Sequence, residues 1–174
     1  MKIFLFFSFM AFFTSVLNAQ QFSLQIKRPA IKNIGSIEEK AGGKQFKFSS
    51  NIRFSVSKGY FPGSDRYNLD NPLTFNRSEP VPIQTQYYYS LPDSVVRLIE
   101  YTLNNSDTAL LQKTFNDNAK QIEKLIGWSV SDSSENHDDW WERTAVWEDT
   151  HTYIKQFMII GSGTYRVRIL ISWK

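Results

Sequence analysis

Arg166 and Arg168 stand two residues apart in the last apolar run of the chain, and the strongest chemical reading of the sequence rests on that spacing. In an extended strand alternate residues share a face. Thr164, Arg166, Arg168, Leu170 and Ser172 therefore project to one side, and Tyr165, Val167, Ile169, Ile171 and Trp173 to the other. Guanidiniums in a row on a sheet can hold a carboxylate or a phosphate through paired N–H donors. Arg143 joins them if neighbouring strands fall into register, as do Arg97 and Lys155. Trp147, with Trp140, Trp141 and Tyr153 near it, supplies the kind of ring surface that concentrates with arginine at interfaces. The candidate ligand-binding residues are thus Arg166, Arg168, Arg143 and Trp147. The same side chains have a plainer use. The arginines can pair across strands with Glu100, Glu142 and Glu148, and the rings can fill a core.

Catalytic chemistry finds less support. Glu135, His137, Asp138 and Asp139, with Asp132, offer oxygens suited to a hard cation, but the alternating Asp/Asn pattern with a central glycine is missing. His137 and His151 flank the Trp140 segment at opposite ends, and zinc catalysis wants three protein ligands at one point. Serines are abundant, yet Gly161-Ser162-Gly163 reads as a turn between apolar strands, not as a nucleophile elbow. Glu142 and Glu148 share one side of a strand, but six residues span roughly 20 Å, too far for a glycosidase pair ~5–10 Å apart. No phosphate-cradling glycine loop is present. The chain has no cysteine, which removes thiol catalysis, disulfides and thiolate metal sites. No cofactor is implied. Asn76-Arg77-Ser78 and Asn104-Asn105-Ser106 match the glycosylation acceptor pattern, which matters only in a eukaryotic secretory route.

The elements that must position these residues follow from periodicity. Phe22–Arg28, Phe46–Val56, Ile83–Leu91, Val95–Leu103, Trp140–Asp149, Tyr153–Ile160 and Thr164–Trp173 alternate apolar with polar residues and read as strands. Pro92-Asp93-Ser94 suits the turn of a hairpin. Leu111, Phe115, Ile122, Leu125 and Ile126 form one apolar stripe at helical spacing. Ser106 or Asp107 caps its start, and Gly127 sits where helices stop. Residues 29–45 are mixed. Residues 57–82, rich in proline and glycine, read as a long loop whose Tyr60, Phe61, Tyr67, Leu69, Leu73 and Phe75 pack on the body. Residues 128–139 read as a polar loop. Short turns between sequential strands favour antiparallel pairing. The expected fold is therefore α+β: a twisted antiparallel sheet of six to seven strands with one long helix across one face.

The first nineteen residues carry a different message. Lys2 precedes an apolar run, Ile3 to Leu17, broken only by Ser8, Thr14 and Ser15. Ala19 then offers a small residue for cleavage, the layout of a secretory signal peptide. The run is short for a ~30 Å hydrocarbon core. Residues 1–19 are read as the signal peptide and residues 20–174 as a single α+β domain, with no membrane span once the signal is removed. The remaining charge is close to balanced and interspersed, which does not favour nucleic acid. The expected protein is a small exported binding or interaction protein of the cell envelope, secreted or periplasmic, whose partner is an unidentified protein or small ligand. The alternatives are an envelope hydrolase working through carboxylates or a His137-centred site, and a stoichiometric inhibitor of one partner.

Overall fold

In a computed structural model, residues 23–47, 56–69, 71–78 and 81–174 are described; the signal segment lies outside them. Eight antiparallel strands make one sheet: β1 (Gly43–Phe46), β2 (Leu73–Arg77), β3 (Ile83–Ser90), β4 (Val95–Asn104), β5 (Ser131–Asn136), β6 (Trp140–Glu148), β7 (Thr152–Gly161) and β8 (Thr164–Trp173). Their order across the sheet is β1-β2-β3-β4-β8-β7-β6-β5. Two α-helices accompany them, α1 (Ile34–Lys40) and α2 (Thr108–Ile126). The first four strands run as a meander. Helix α2 then carries the chain to the far edge, and the last four strands return to the middle, where β8 pairs with β4.

Helix α2 starts where its cap is expected: the Asp107 carboxylate accepts from Leu110 N at 3.0 Å, and Gly127 closes the end with φ +98°. Leu111, Phe115, Asn118 and Ile122 are its buried face. They lie against β6, β7 and β8 and share one core with Tyr87, Tyr101, Trp147, Ile154, Val167, Ile169 and Ile171. Leu125, which shares the stripe by spacing, is exposed. A polar contact fixes the helix on the sheet: Gln156 Nε2 donates to the Phe115 carbonyl at 2.8 Å.

Helix α1 is held by a buried polar knot. Arg77 donates to Glu38 through Nε at 2.8 Å and Nη2 at 2.6 Å, the paired geometry that makes such bonds strong. The Tyr87 hydroxyl donates to the same carboxylate. Glu38 is 0% and Arg77 5% exposed. Burial works to lower the Arg77 pKa, but the hydrogen bond and charge of Glu38 prevail and raise it.

Three differences from the expected elements have physical reasons. Residues 23–28 form no strand, because their polar groups find side chains instead of a ladder: Leu24 N donates to Gln121 Oε1, Gln25 N to the Tyr101 hydroxyl, and the Trp173 indole to the Ile26 carbonyl. Strand β1 ends at Phe46, where the expected Phe46–Val56 strand begins, and residues 48–55 of that strand lie outside the described residues. The segments read as loops supply two further strands. β2 escapes the alternation rule because its third core-facing position holds Arg77, and β5 because all six of its residues are exposed. Among the described residues the sheet therefore has eight strands, not six to seven, and α1 is a second helix beside the one expected.

The second face of the sheet carries a smaller cluster, Phe61, Tyr88, Leu98, Phe157 and Leu170, with Val56, Tyr60, Tyr67, Leu69 and Ile159 packed on it. Part of the 57–82 segment thus lies on the body as expected. A bulge in β4 serves it. Tyr88 pairs with Leu98 but Tyr89 with Val96, so Arg97 is set out of the ladder, and its guanidinium lies 4.4 Å from the centre of the Tyr67 ring.

Candidate anion-binding site

The alternation of β8 places Arg166 and Arg168 on the face away from α2, as their spacing requires. Register then gives each a different neighbourhood. Arg168 lies between Thr102 of β4 and Phe157 of β7; Arg166 lies between Asn104 and Ile159. Lys155, on the same face, joins them. Arg143 and Trp147 do not. On β6, Arg143 pairs with Met158, which pairs with Val167, and Trp147 pairs with Ile154, which pairs with Ile171, so both point to the α2 side. Arg143 reaches Asp132 through Nε at 3.0 Å and Nη2 at 2.7 Å, donates to Asn116 at 3.0 Å, and lies 4.6 Å from the Phe115 ring centre. Trp147 is 1% exposed and belongs to the core. The sheet separates the four candidates into two pairs.

Arg168 is engaged. Its Nε lies 3.0 Å from Glu100 Oε1, an ion pair by distance without hydrogen-bond alignment. Its guanidinium sits 5.5 Å from the Tyr60 ring centre and 5.6 Å from that of Phe157, within reach for cation–π attraction. Those two rings stack at 5.3 Å, and Lys155 Nζ donates to the Gly59 carbonyl at 3.3 Å. The turn at residues 57–60 therefore covers the sheet over Arg168. Strand patterns do not reveal this loop contribution, although the apolar character of Tyr60 and its neighbours does show that the segment is no free linker.

Arg166 differs. Arg77, Arg97, Arg143 and Arg168 each face an acid: Glu38, Asp93, Asp132 and Glu100. Arg166 is half-buried with no carboxylate at ion-pair distance among the described residues, and its Nε is buried without a hydrogen-bond partner. Burial, followed by the charge of Arg168, lowers its pKa; Tyr60, Glu100 and Glu142 act in the opposite sense. A hollow of about 520 Å³ opens beside it, lined also by Asn104, Ser106, Thr164 and Tyr165 and by no acid. The nearby Asp107 carboxylate is occupied with Leu110 N. One guanidinium, the amides of Asn104 and Asn105 and the hydroxyls of Ser106, Thr164 and Tyr165 thus line a space with no negative charge in its walls. Sequence reading finds the arginine and, by alternation, Thr164 beside it, but not Asn104 or Ser106; Asn104 faces Arg166 through the register of β4 on β8, which one sequence does not display.

The other candidate groups stay apart. His137 stacks on Trp140 with ring centres 3.7 Å apart, and the His151 backbone donates to Asp149 at the opposite end of β6. Among the described residues no three of His, Cys, Asp or Glu are grouped to hold a metal ion, and no helix is long and apolar enough to cross a membrane. No family model matches the chain, and comparisons with curated proteins and with solved structures returned no match.

Proposed function

We propose that this chain is an exported binding protein of the cell envelope and that Arg166 takes an anionic ligand, a phosphate or carboxylate group, in the hollow at the start of β8. Arg168 contributes less than Arg166: its charge is balanced by Glu100, and its place under Tyr60 leaves the neighbouring guanidinium as the one that meets a ligand. The observation that carries the reading is a half-buried arginine, with no acid at ion-pair distance among the described residues, beside a hollow with no acidic wall. Desolvating a cation without compensation is costly, and an incoming anion removes that cost. The export signal at residues 1–19 supports the location.

The experiment is calorimetric titration of the chain lacking residues 1–19 with inorganic phosphate and with citrate. Saturable binding is expected, weakening as salt rises because the attraction is screened. Arg166→Gln should weaken it about tenfold or more, the equivalent of one charge-assisted hydrogen bond at ~1.5–3 kcal/mol. Arg143→Gln, on the other face, should leave it unchanged. Anion binding indifferent to Arg166→Gln would refute the site.

A further inference from the structure

The end of β8 remote from Arg166 borders a second cavity, of about 430 Å³. Seven residue steps of strand, roughly 23 Å at ~3.3 Å each, separate Arg166 from Trp173. The two sites therefore do not overlap, and a ligand in the second has no need of Arg166.

The walls come from distant parts of the chain. Phe61 and Tyr67 belong to the segment lying over the sheet; Tyr153 and Trp173 belong to β7 and β8. Each is fixed by contacts of its own. Phe61 and Tyr67 stack at 5.8 Å with planes 2° apart, and Arg97 lies over the Tyr67 ring. Trp173 contributes only at the end of the strand, since its indole is turned into the α2-side core, where it donates to the Ile26 carbonyl at 3.0 Å. Tyr153 is held in the ladder opposite Ser172. Rings fixed in this way lose little freedom when a ligand arrives. A concave, ring-lined space of a few hundred Å³ with a few charged groups has the general character of a small-molecule site.

The charges narrow the ligand. Lys174 Nζ lies 2.9 Å from Glu148 Oε1 and donates to the Asp149 carbonyl at 2.6 Å, so those two lining residues offset each other. Arg66, the third charged residue of the lining, has no ion pair among the described residues. We propose that this cavity binds a planar aromatic carboxylate, its ring against Phe61, Tyr67 and Tyr153 and its carboxylate on Arg66. Flat rings suit offset or edge contacts with such walls, and the fork of a guanidinium matches a carboxylate.

The test is calorimetry of the chain lacking residues 1–19 with 2-naphthoate, with 2-naphthol as the same ring without the carboxylate, and with acetate as the carboxylate without the ring. Naphthoate should bind at least tenfold more tightly than either. Arg66→Gln, at an exposed position, should bring naphthoate to the level of 2-naphthol while leaving 2-naphthol unchanged. Tyr153→Ala, with its fold checked by circular dichroism, should weaken both ring compounds about fivefold or more. Arg166→Gln should alter neither, which keeps this site distinct from the phosphate site. Naphthoate held no better than acetate, or unaffected by Arg66→Gln, would overturn the proposal, as would its loss in Arg166→Gln.

Discussion

The Glu38 carboxylate occupies the space where a side chain at position 43 would stand. A Cβ built on Gly43 falls well inside contact distance of Glu38 Oε2 and 3.0 Å from the Glu38 carbonyl oxygen. The glycine is needed for room, since its backbone lies outside the left-handed region. Gly43→Ala should therefore destabilise the protein by about 1–3 kcal/mol, as overpacking does. An unchanged urea midpoint would show that α1 yields without cost.

The acid that Gly43 accommodates is the centre of the buried knot, so the partners should be strongly coupled. Arg77→Met leaves a carboxylate buried without its cation and should cost about 3–5 kcal/mol. Adding Glu38→Leu should recover part of that loss, because the orphaned charge is gone. A double-mutant cycle by urea denaturation measures the recovery; strictly additive losses would argue against the pair.

The tyrosines around this knot, and Tyr88 on the opposite face of the sheet, should resist ionisation. Burial pushes the Tyr101 hydroxyl up to about 12, and burial also raises Tyr87 and Tyr88 above the ordinary phenol value. The unfolded chain releases these protons near pH ~10, so the native state binds more protons above that point. The stability they contribute is complete below about pH 10 and falls as pH climbs through the folded values. Absorbance titration at 295 nm should show part of the eight tyrosines ionising late, together with loss of the fold. A single transition near the ordinary phenol pKa, with the fold intact, would contradict it.

Helix docking offers a direct contrast. Phe115 is fully buried under the sheet and Leu125 is exposed. Phe115→Ala should cost about 3–5 kcal/mol through lost burial and a cavity. Leu125→Ala should stay within ~0.5 kcal/mol. Thermal melts of the two variants check the difference; equal losses would mean that the stripe is buried along its whole length.

The turn from β6 to β7 should weaken in acid. Asp149 accepts from His151 N at 2.7 Å and Thr152 N at 2.6 Å. Those backbone bonds, the one from His151 foremost, hold its pKa below the ordinary carboxylate value. The stabilisation is present above about pH 4 and is lost as pH falls through the lower folded value. Asp149→Ala should cost ~1 kcal/mol at pH 7 and less at pH 2. A deficit equal at both pH values would count against this role.

Legibility followed the physics of half-burial. β6, β7, β8 and the β3–β4 hairpin are alternating because one face meets a core, and Asp107 and Gly127 announce α2 at both ends. β5 has no apolar residue to alternate, and β2 places a charge where the pattern demands an apolar group. Both are strands only because a neighbour offers its backbone. The bulge at Arg97 reverses the sidedness of the residues before it, which residue order does not reveal. The same limit governs the site. Parity within β8 joins Arg166 to Arg168, but parity cannot be carried across strands without register, so Arg143 and Trp147 lie beyond the sheet from them. Which guanidinium lacks an acid depends on Glu100 in β4, and which is covered depends on Tyr60, far away along the chain.

The meeting of β4 with β8 has a kinetic consequence. The last strand in chain order lies in the middle of the sheet, so neither half can shield both of its edges until residues near 173 have emerged and found partners synthesised some seventy positions earlier. Assembly is thereby tied to contacts of long sequence separation, which slow the search for the native state. A nascent chain of this design stays pliable until β8 has emerged.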